Sequence, residues 1–327
     1  MPVLLVLSIL RRTFGERWRV PFGVLSTASE VITLDGLELN GKEKENQGWH
    51  PCFDCTAVAC YGRIHLPVAL DCNIKCRYCD RRYGCVNENR PGVACRVLTP
   101  REALAWTRQV LLRDPRITVV GIAGPGDPLG NPATWATLAL VHQEFPTLIK
   151  CVSTNGLALP GYIARLKEVG VRNLTVTVNA VDPAVGAKIY AYVCWEGKFY
   201  RGEAAASLLW ERQAAGIEEA VRAGLRVKVN TVFIPGVNDT HLPAVARAVA
   251  SLGAHLMNVV PLIPLADFAH LAPPAPAELA RTRAELEAFL PQMNWCRQCR
   301  ADAVGLLGEE TAEHGGDLSL SCGGRRW

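Results

Sequence analysis

Six short runs of apolar and β-branched residues recur between residues 64 and 262, and segments with helical periodicity separate them. The runs are 64–69, 117–123, 148–153, 173–179, 226–234 and 256–262. Such runs suit strands buried on both faces, as parallel sheets require. Helix starts are signalled locally. Thr99-Pro100-Arg101-Glu102 offers a Thr cap, Pro in the first turn and Glu at the capping-box position. Asn131-Pro132 opens a second helix in the same style, and 203–223, 240–251 and 276–289 are further helical candidates. The alternation implies parallel strands with right-handed crossovers. The expected fold is α/β, a partial (β/α)6 TIM-like barrel with N- and C-terminal extensions and its chemistry at the C-terminal strand ends. Polar or Gly-rich tetrads follow the strands as that rule asks: Gly124-Pro125-Gly126-Asp127, Ser153-Thr154-Asn155-Gly156, Asn179-Ala180-Val181-Asp182 and Pro235-Gly236-Val237-Asn238. Any one could be a plain turn; converging on one rim, they point to a site.

The first of those strands leads into Cys72-Asn73-Ile74-Lys75-Cys76-Arg77-Tyr78-Cys79. Thiolates at C-x3-C-x2-C spacing can hold three irons of a four-iron cube and leave the fourth iron open. An open iron can bind a small chelating ligand and pass it one electron. The layout is similar to that of radical S-adenosylmethionine (SAM) enzymes. A closed zinc site needs four ligands, usually as two paired motifs, which fits this unequal trio less well than cluster ligation does.

Composition narrows the classes further. The 327 residues are 49% hydrophobic and 20% charged, which suits a sizeable core. A net charge of +4 with scattered Lys and Arg argues against a nucleic-acid partner. Thirteen cysteines suit metal ligation in a reducing compartment. The apolar run Pro2–Leu10 lacks a preceding positive charge and is too short to span a membrane, so a cytoplasmic protein with no membrane partner is expected. The expected organisation is a variable extension over 1–48, a core over 49–270 and a C-terminal extension over 271–327.

Further soft ligands lie outside the trio. His50, Cys52, Cys55, Cys60 and His65 cluster upstream, and Cys296-Arg297-Gln298-Cys299 is a lone C-x2-C near the end. Cys85 and Cys151 are isolated. A lone Cys is usually a small core hydrophobe, and Cys95, Cys194 and Cys322 are read that way, as His142, His241, His255, His270 and His314 are left without a role.

Several stretches together give the chain a family resemblance over about residues 49–310. They include His50-Pro51-Cys52-Phe53, Gly62 to Ala69, the Cys72–Cys79 motif, Glu88-Asn89-Arg90-Pro91-Gly92, Trp195-Glu196-Gly197-Lys198 and Cys296 to Gly305. On these the chain resembles the NifB family, radical SAM proteins of nitrogenase cofactor biosynthesis. The resemblance implies a [4Fe–4S] cluster on Cys72, Cys76 and Cys79 that binds SAM, and two additional [4Fe–4S] clusters as substrates. Cys52, His65 and Cys151 are the implied ligands of one; Cys85, Cys296 and Cys299 of the other. The implied reaction moves a SAM methyl group to a cluster sulfide, abstracts hydrogen from it with a 5′-deoxyadenosyl radical, and fuses the two cubes around the carbon. The product would be an eight-iron, carbide-containing precursor, NifB-co.

Within that scheme Gly124 and Gly126 are expected to let backbone approach the methionine end of SAM. Asp127 is expected to accept from its amino group, and Asn179 and Asn230 to contact its carboxylate or ribose. Tyr78, Ser153 and Asn155 complete the expected SAM contacts. Glu88 and Arg90 are assigned to proton transfer or anion binding, with a structural ion pair as the alternative. Implied partners are an iron–sulfur cluster donor, an electron donor such as a ferredoxin or flavodoxin, and a cofactor carrier or assembly protein. Val58 stands where the family pattern has His and Leu70 where it has Pro, while Cys55 and Cys60 are extra. A short form without the C-terminal carrier-like domain is expected. Competing readings are a radical SAM enzyme with auxiliary clusters acting on a peptide or small molecule, and a non-catalytic cluster scaffold.

Overall fold

The six expected strands form in a computed structural model that describes residues 50–83, 85 and 97–309. They are β1 (Gly62–His65), β3 (Ile117–Ile122), β4 (Ile149–Thr154), β5 (Val171–Thr177), β8 (Arg226–Phe233) and β9 (Leu256–Pro261). They pair in parallel in the order β1-β3-β4-β5-β8-β9. A short strand near the C-terminus, β10 (Val304–Gly305), adds to β1 antiparallel. The sheet curls, because His65 at one side of the strand order and Asn258 at the other border the same chamber. This is the expected partial barrel. Strand β1 ends at His65, four residues early; beyond it only an isolated bridge from Ala69 to Pro125 continues the pairing.

The helices cover the outside. They are α1 (Pro100–Arg113), α2 (Pro132–Glu144), α3 (Ile163–Glu168), α4 (Pro183–Ile189), α5 (Gly202–Arg222), α6 (Leu242–Ser251) and α7 (Pro276–Leu286). Thr99 makes the expected capping box with Glu102. Asn131 makes no side-chain cap, because its amide is used elsewhere. Leu104, Val110, Leu138, Ile217 and Val249 bury against the outward strand residues in one core.

A second, three-stranded sheet has no counterpart in the sequence expectation. Strand β2 (Ile74–Cys76), from within the cysteine motif, pairs antiparallel with β6 (Tyr190–Trp195), which pairs with β7 (Lys198–Tyr200). Glu196 and Gly197 turn the β6–β7 hairpin with positive φ, 50° and 74°, as a tight two-residue hairpin requires. The C-terminal stretch runs back along the barrel: Gln292 bridges to Met257, Trp295 Nε1 donates to Pro51 O at 2.8 Å, and β10 closes on β1. Among the described residues no helix is long and apolar enough to cross a membrane.

Candidate functional site

Successive strand residues point to opposite faces, so alternate positions project into the barrel. His65 of β1, Gly121 of β3, Cys151 and Ser153 of β4, Thr175 of β5, Lys228 and Asn230 of β8, and Asn258 of β9 all do so. With His50, Cys52, Met293 and Cys296, Arg297 and Cys299 they border a chamber that is partly open to solvent. Five of the six expected auxiliary ligands meet here: Cys52, His65, Cys151, Cys296 and Cys299.

His65, Gly121 and Cys151 share one row of the sheet. A Cβ on Gly121 would lie 2.9 Å from His65 Cδ2 and 3.0 Å from Cys151 Sγ. The glycine therefore leaves open the space over which both ligand-type side chains meet. His65 Nδ1 is 3.0 Å from Arg300 O. A carbonyl only accepts, so Nδ1 carries the proton and Nε2 keeps the lone pair a metal ligand needs. Burial, with help from Arg63, holds the His65 pKa down to about 4.

The chamber is electropositive. Among the described residues no acidic side chain borders it, whereas Lys228 and Arg297 do. Arg63, fully buried behind it, donates to Cys299 Sγ at 2.8 Å and to Gly305 O at 2.6 Å. Burial pushes the Cys52 thiol up to about 11, against the pull of Lys228 and with a further push from Cys299. Burial likewise raises Cys296, and Lys228 opposes it. These thiols bind metal only by giving up protons, which the cationic walls favour.

A second, smaller chamber is bordered by Cys72, Cys76, Cys79 and Cys85, together with Gly126, Asp127 and Asn155. Ala123 and Ser153 border both chambers. The trio is held from three sides. Asn131 accepts from Asp71 N at 3.0 Å and donates to Asp71 O at 2.8 Å and Asp127 O at 2.7 Å. Asn155 Nδ2 donates to Asn73 Oδ1 at 2.6 Å and lies 3.8 Å from Cys72 Sγ. Pairing of β2 with β6 fixes Cys76 opposite Tyr190. Burial, then the Asp127 charge, pushes the Cys72 thiol up to about 11; burial also raises Cys79.

Among the described residues no three His, Cys, Asp or Glu side chains converge as a single metal ion requires. Three thiols standing around a cavity instead match a multi-iron cluster, whose cysteine ligands bind separate irons. The donor set therefore fits a [4Fe–4S] group at Cys72, Cys76 and Cys79. None of the cysteines among the described residues is in a disulfide.

Of the expected SAM contacts, Gly126, Asp127, Ser153 and Asn155 border the trio's chamber. Asp127 is buried and its carboxylate is engaged within the chain. Oδ1 accepts from Leu129 N at 3.0 Å, and Oδ2 accepts from Thr154 Oγ1 at 2.8 Å and from Asn155 N at 2.6 Å. It orients Asn155. Gly126 is small because its chain presses on Asp71: a Cβ there would lie 2.1 Å from Asp71 O. Asn179 donates to Tyr78 Oη at 2.7 Å and accepts from Val232 N at 2.9 Å, so this buried pair braces the loop from inside. Gly124, Tyr78 and Asn179 border neither chamber, and Asn230 borders the larger one. Glu88 and Arg90 lie outside the described residues. Lys228, Arg63 and Asn131 escaped the sequence reading. For Lys228 the signal was there, a cation in mid-strand in Val227-Lys228-Val229.

Comparison with known proteins gives these chambers a context. The Radical SAM superfamily model matches residues 66–249. The FeMo cofactor biosynthesis protein NifB of Chlorobaculum tepidum is 48% identical over 263 residues, 80% of this chain and 62% of that one. Its namesake in Klebsiella pneumoniae is 45% identical over 81% of this chain and 58% of its own length. The Methanocaldococcus jannaschii NifB is 45% identical over 80% of this chain and 87% of its own length. The chain thus spans about three fifths of those two bacterial relatives and most of the archaeal one. Among solved structures, Streptococcus suis SuiB bound to S-adenosylmethionine superposes with a TM-score of 0.54. Identity there is 13%, over 72% of this chain and 51% of that one, a likeness of fold. A superfamily match over more than half the chain, joined to this level of identity with an archaeal relative it nearly spans, shows that the chain belongs to the radical SAM superfamily and, within it, to the NifB family.

Proposed function

We propose that the chain is a radical SAM enzyme that fuses two [4Fe–4S] substrate clusters with insertion of a SAM-derived carbide, forming the eight-iron precursor of the nitrogenase cofactor. One observation carries the reading: the chamber that gathers five soft ligands adjoins the chamber of the cysteine trio across Ala123 and Ser153. Two small residues separate the place where SAM would be cleaved from the place where a cluster sulfide would be methylated.

When bound at Cys72, Cys76 and Cys79, the resident cluster supplies one electron to SAM. The chain's own residues do the rest. Asn131 and Asn155 fix the loop that carries the trio. His65 and Cys151, aimed over Gly121, and Cys52 take one substrate cluster. Cys296 and Cys299 with Cys85 take the other. Because Cys85 borders the smaller chamber and the C-x2-C pair the larger, that cluster has to lie at the junction. Lys228 and the buried Arg63 offset the negative charge that thiolates and sulfides bring. Protein ligation of each substrate cube by only three side chains leaves irons free to form new bridges during fusion. The same reading assigns a reducing cytoplasm, an iron–sulfur cluster donor, a ferredoxin or flavodoxin as electron source, and a carrier or assembly protein for the product.

The test is iron content and product analysis after anaerobic reconstitution. About twelve irons per chain are expected, falling to about eight in a Cys296→Ala/Cys299→Ala variant. With reductant and SAM, 5′-deoxyadenosine and S-adenosylhomocysteine should form together. About four irons, unchanged in the variant, would reduce the protein to a single-cluster enzyme. Failure to cleave SAM would leave a scaffold.

A further inference from the structure

His50 is 2% exposed and lines the larger chamber. Its ring packs edge-on against Phe53, with centroids 4.9 Å apart. Nδ1 accepts from the Cys52 backbone N–H at 3.1 Å. A nitrogen that accepts carries no proton, so in the neutral ring the proton sits on Nε2. Nε2 is buried and has no hydrogen-bond partner among the described residues. A buried N–H left unsatisfied costs about 1–3 kcal/mol, and native structures seldom leave such a group without a reason.

The contrast with His65 sharpens the point. His65 gives its Nδ1 proton to a carbonyl and keeps a lone pair on Nε2. His50 does the reverse. One chamber therefore holds one imidazole set up as a ligand and one set up as a donor. His50 cannot ligate iron through Nε2 without losing its proton or its bond to Cys52 N–H. It can donate to an acceptor in the chamber, whose walls, among the described residues, place cations and neutral groups there but no carboxylate.

We infer that His50 is a hydrogen-bond donor to a sulfide of the substrate cluster held beside Cys52, presenting Nε2–H to an anionic sulfur rather than coordinating iron. The inference rests on the reading of this chamber as a cluster site. Its role is to orient the cube and tune its electronics, since hydrogen bonds to cluster sulfurs shift reduction potential.

The test uses the full chain with Cys72, Cys76 and Cys79 all replaced by Ala, so that remaining iron signals come from the substrate clusters. Two variants are made in that background. His50→Phe keeps a flat ring against Phe53 and removes the donor; His50→Gln restores an N–H at similar reach. After anaerobic reconstitution, iron per chain is counted and the clusters are titrated by electron paramagnetic resonance. In His50→Phe one cluster should become harder to reduce, its midpoint moving negative, with iron retained; His50→Gln should bring the midpoint back toward the parent. A His50→Phe protein with parental iron and midpoint overturns the inference. If His50→Phe loses iron, His50→Gln decides: iron and midpoint restored support the donor role, and iron lost again shows that the ring itself is needed. No iron in the parent background sinks the chamber reading and the His50 role with it, whereas parental iron with an unmoved midpoint sinks the His50 role alone.

Discussion

His65 on β1 and Cys151 on β4 face each other across Gly121, close enough that a single methyl group on the glycine would lie within 3.0 Å of both side chains. In a close-packed interior such a methyl displaces something, at a cost of about 1–3 kcal/mol. Gly121→Ala should leave the barrel folded, as judged by circular dichroism. It should lower iron after reconstitution by about four per chain, one cluster's worth. Unchanged iron would remove His65 and Cys151 from the ligand set.

Asn131 ties the approach to the cysteine trio to the loop after β3 through three hydrogen bonds. Asn131→Ala should cost about 2–4 kcal/mol in denaturant unfolding, at roughly 1 kcal/mol per bond with a desolvation penalty for the groups left behind. SAM cleavage should fall by about tenfold or more, because catalytic geometry is sensitive to small displacements. The iron bound in the larger chamber should persist.

Ser153 borders both chambers. Ser153→Leu should narrow the passage without touching a proposed ligand. Iron content should hold, and because Ser153 is also an expected SAM contact the readout is taken per SAM cleaved. With methyl-deuterated SAM, however, deuterium recovered in 5′-deoxyadenosine should drop several-fold against the parent. Equal deuterium transfer would mean that the two chambers do not communicate at this point.

Lys150 is buried at the start of β4, where Nζ donates to Phe145 O at 2.7 Å and Pro146 O at 3.0 Å. Burial, with Arg172 nearby, lowers its pKa to about 8. An unfolded lysine titrates near 10.4. Between about pH 8 and pH 10 the unfolded chain therefore binds the extra proton, and stability rises with pH. Unfolding free energies measured across that range for the parent and Lys150→Met should diverge upward in favour of the parent. A constant difference would show that Lys150 stays charged in the fold.

The barrel was legible because each of its strands is rich in apolar and β-branched residues, and its first long helix because Thr99 and Glu102 carry their own signal. The small sheet was not. Its pairing joins Ile74 to Val193, far apart in sequence, through strands of three to six residues. Short α3 and α4 likewise offered too few turns for a periodicity. The soft ligands could be named from residue type, but depth along a strand could not. Asn230 sits at an inward position, as a polar residue in a buried strand suggests, yet it opens on the larger chamber. Asp127 and Asn179 look in sequence like ligand contacts. Only three-dimensional neighbours reveal that backbone amides and Tyr78 already engage them.

The C-terminal stretch that pairs β10 with β1 has a consequence for how the protein is made. The trio and its neighbours leave the ribosome more than two hundred residues before Cys296, Cys299 and the Arg300 carbonyl that fixes His65. Until translation reaches them, His65 lacks the contact that sets its tautomer and the larger chamber lacks a wall. If the larger chamber takes the substrate clusters as proposed, their loading follows synthesis of this stretch and is separated in time from synthesis of the segment that carries the trio.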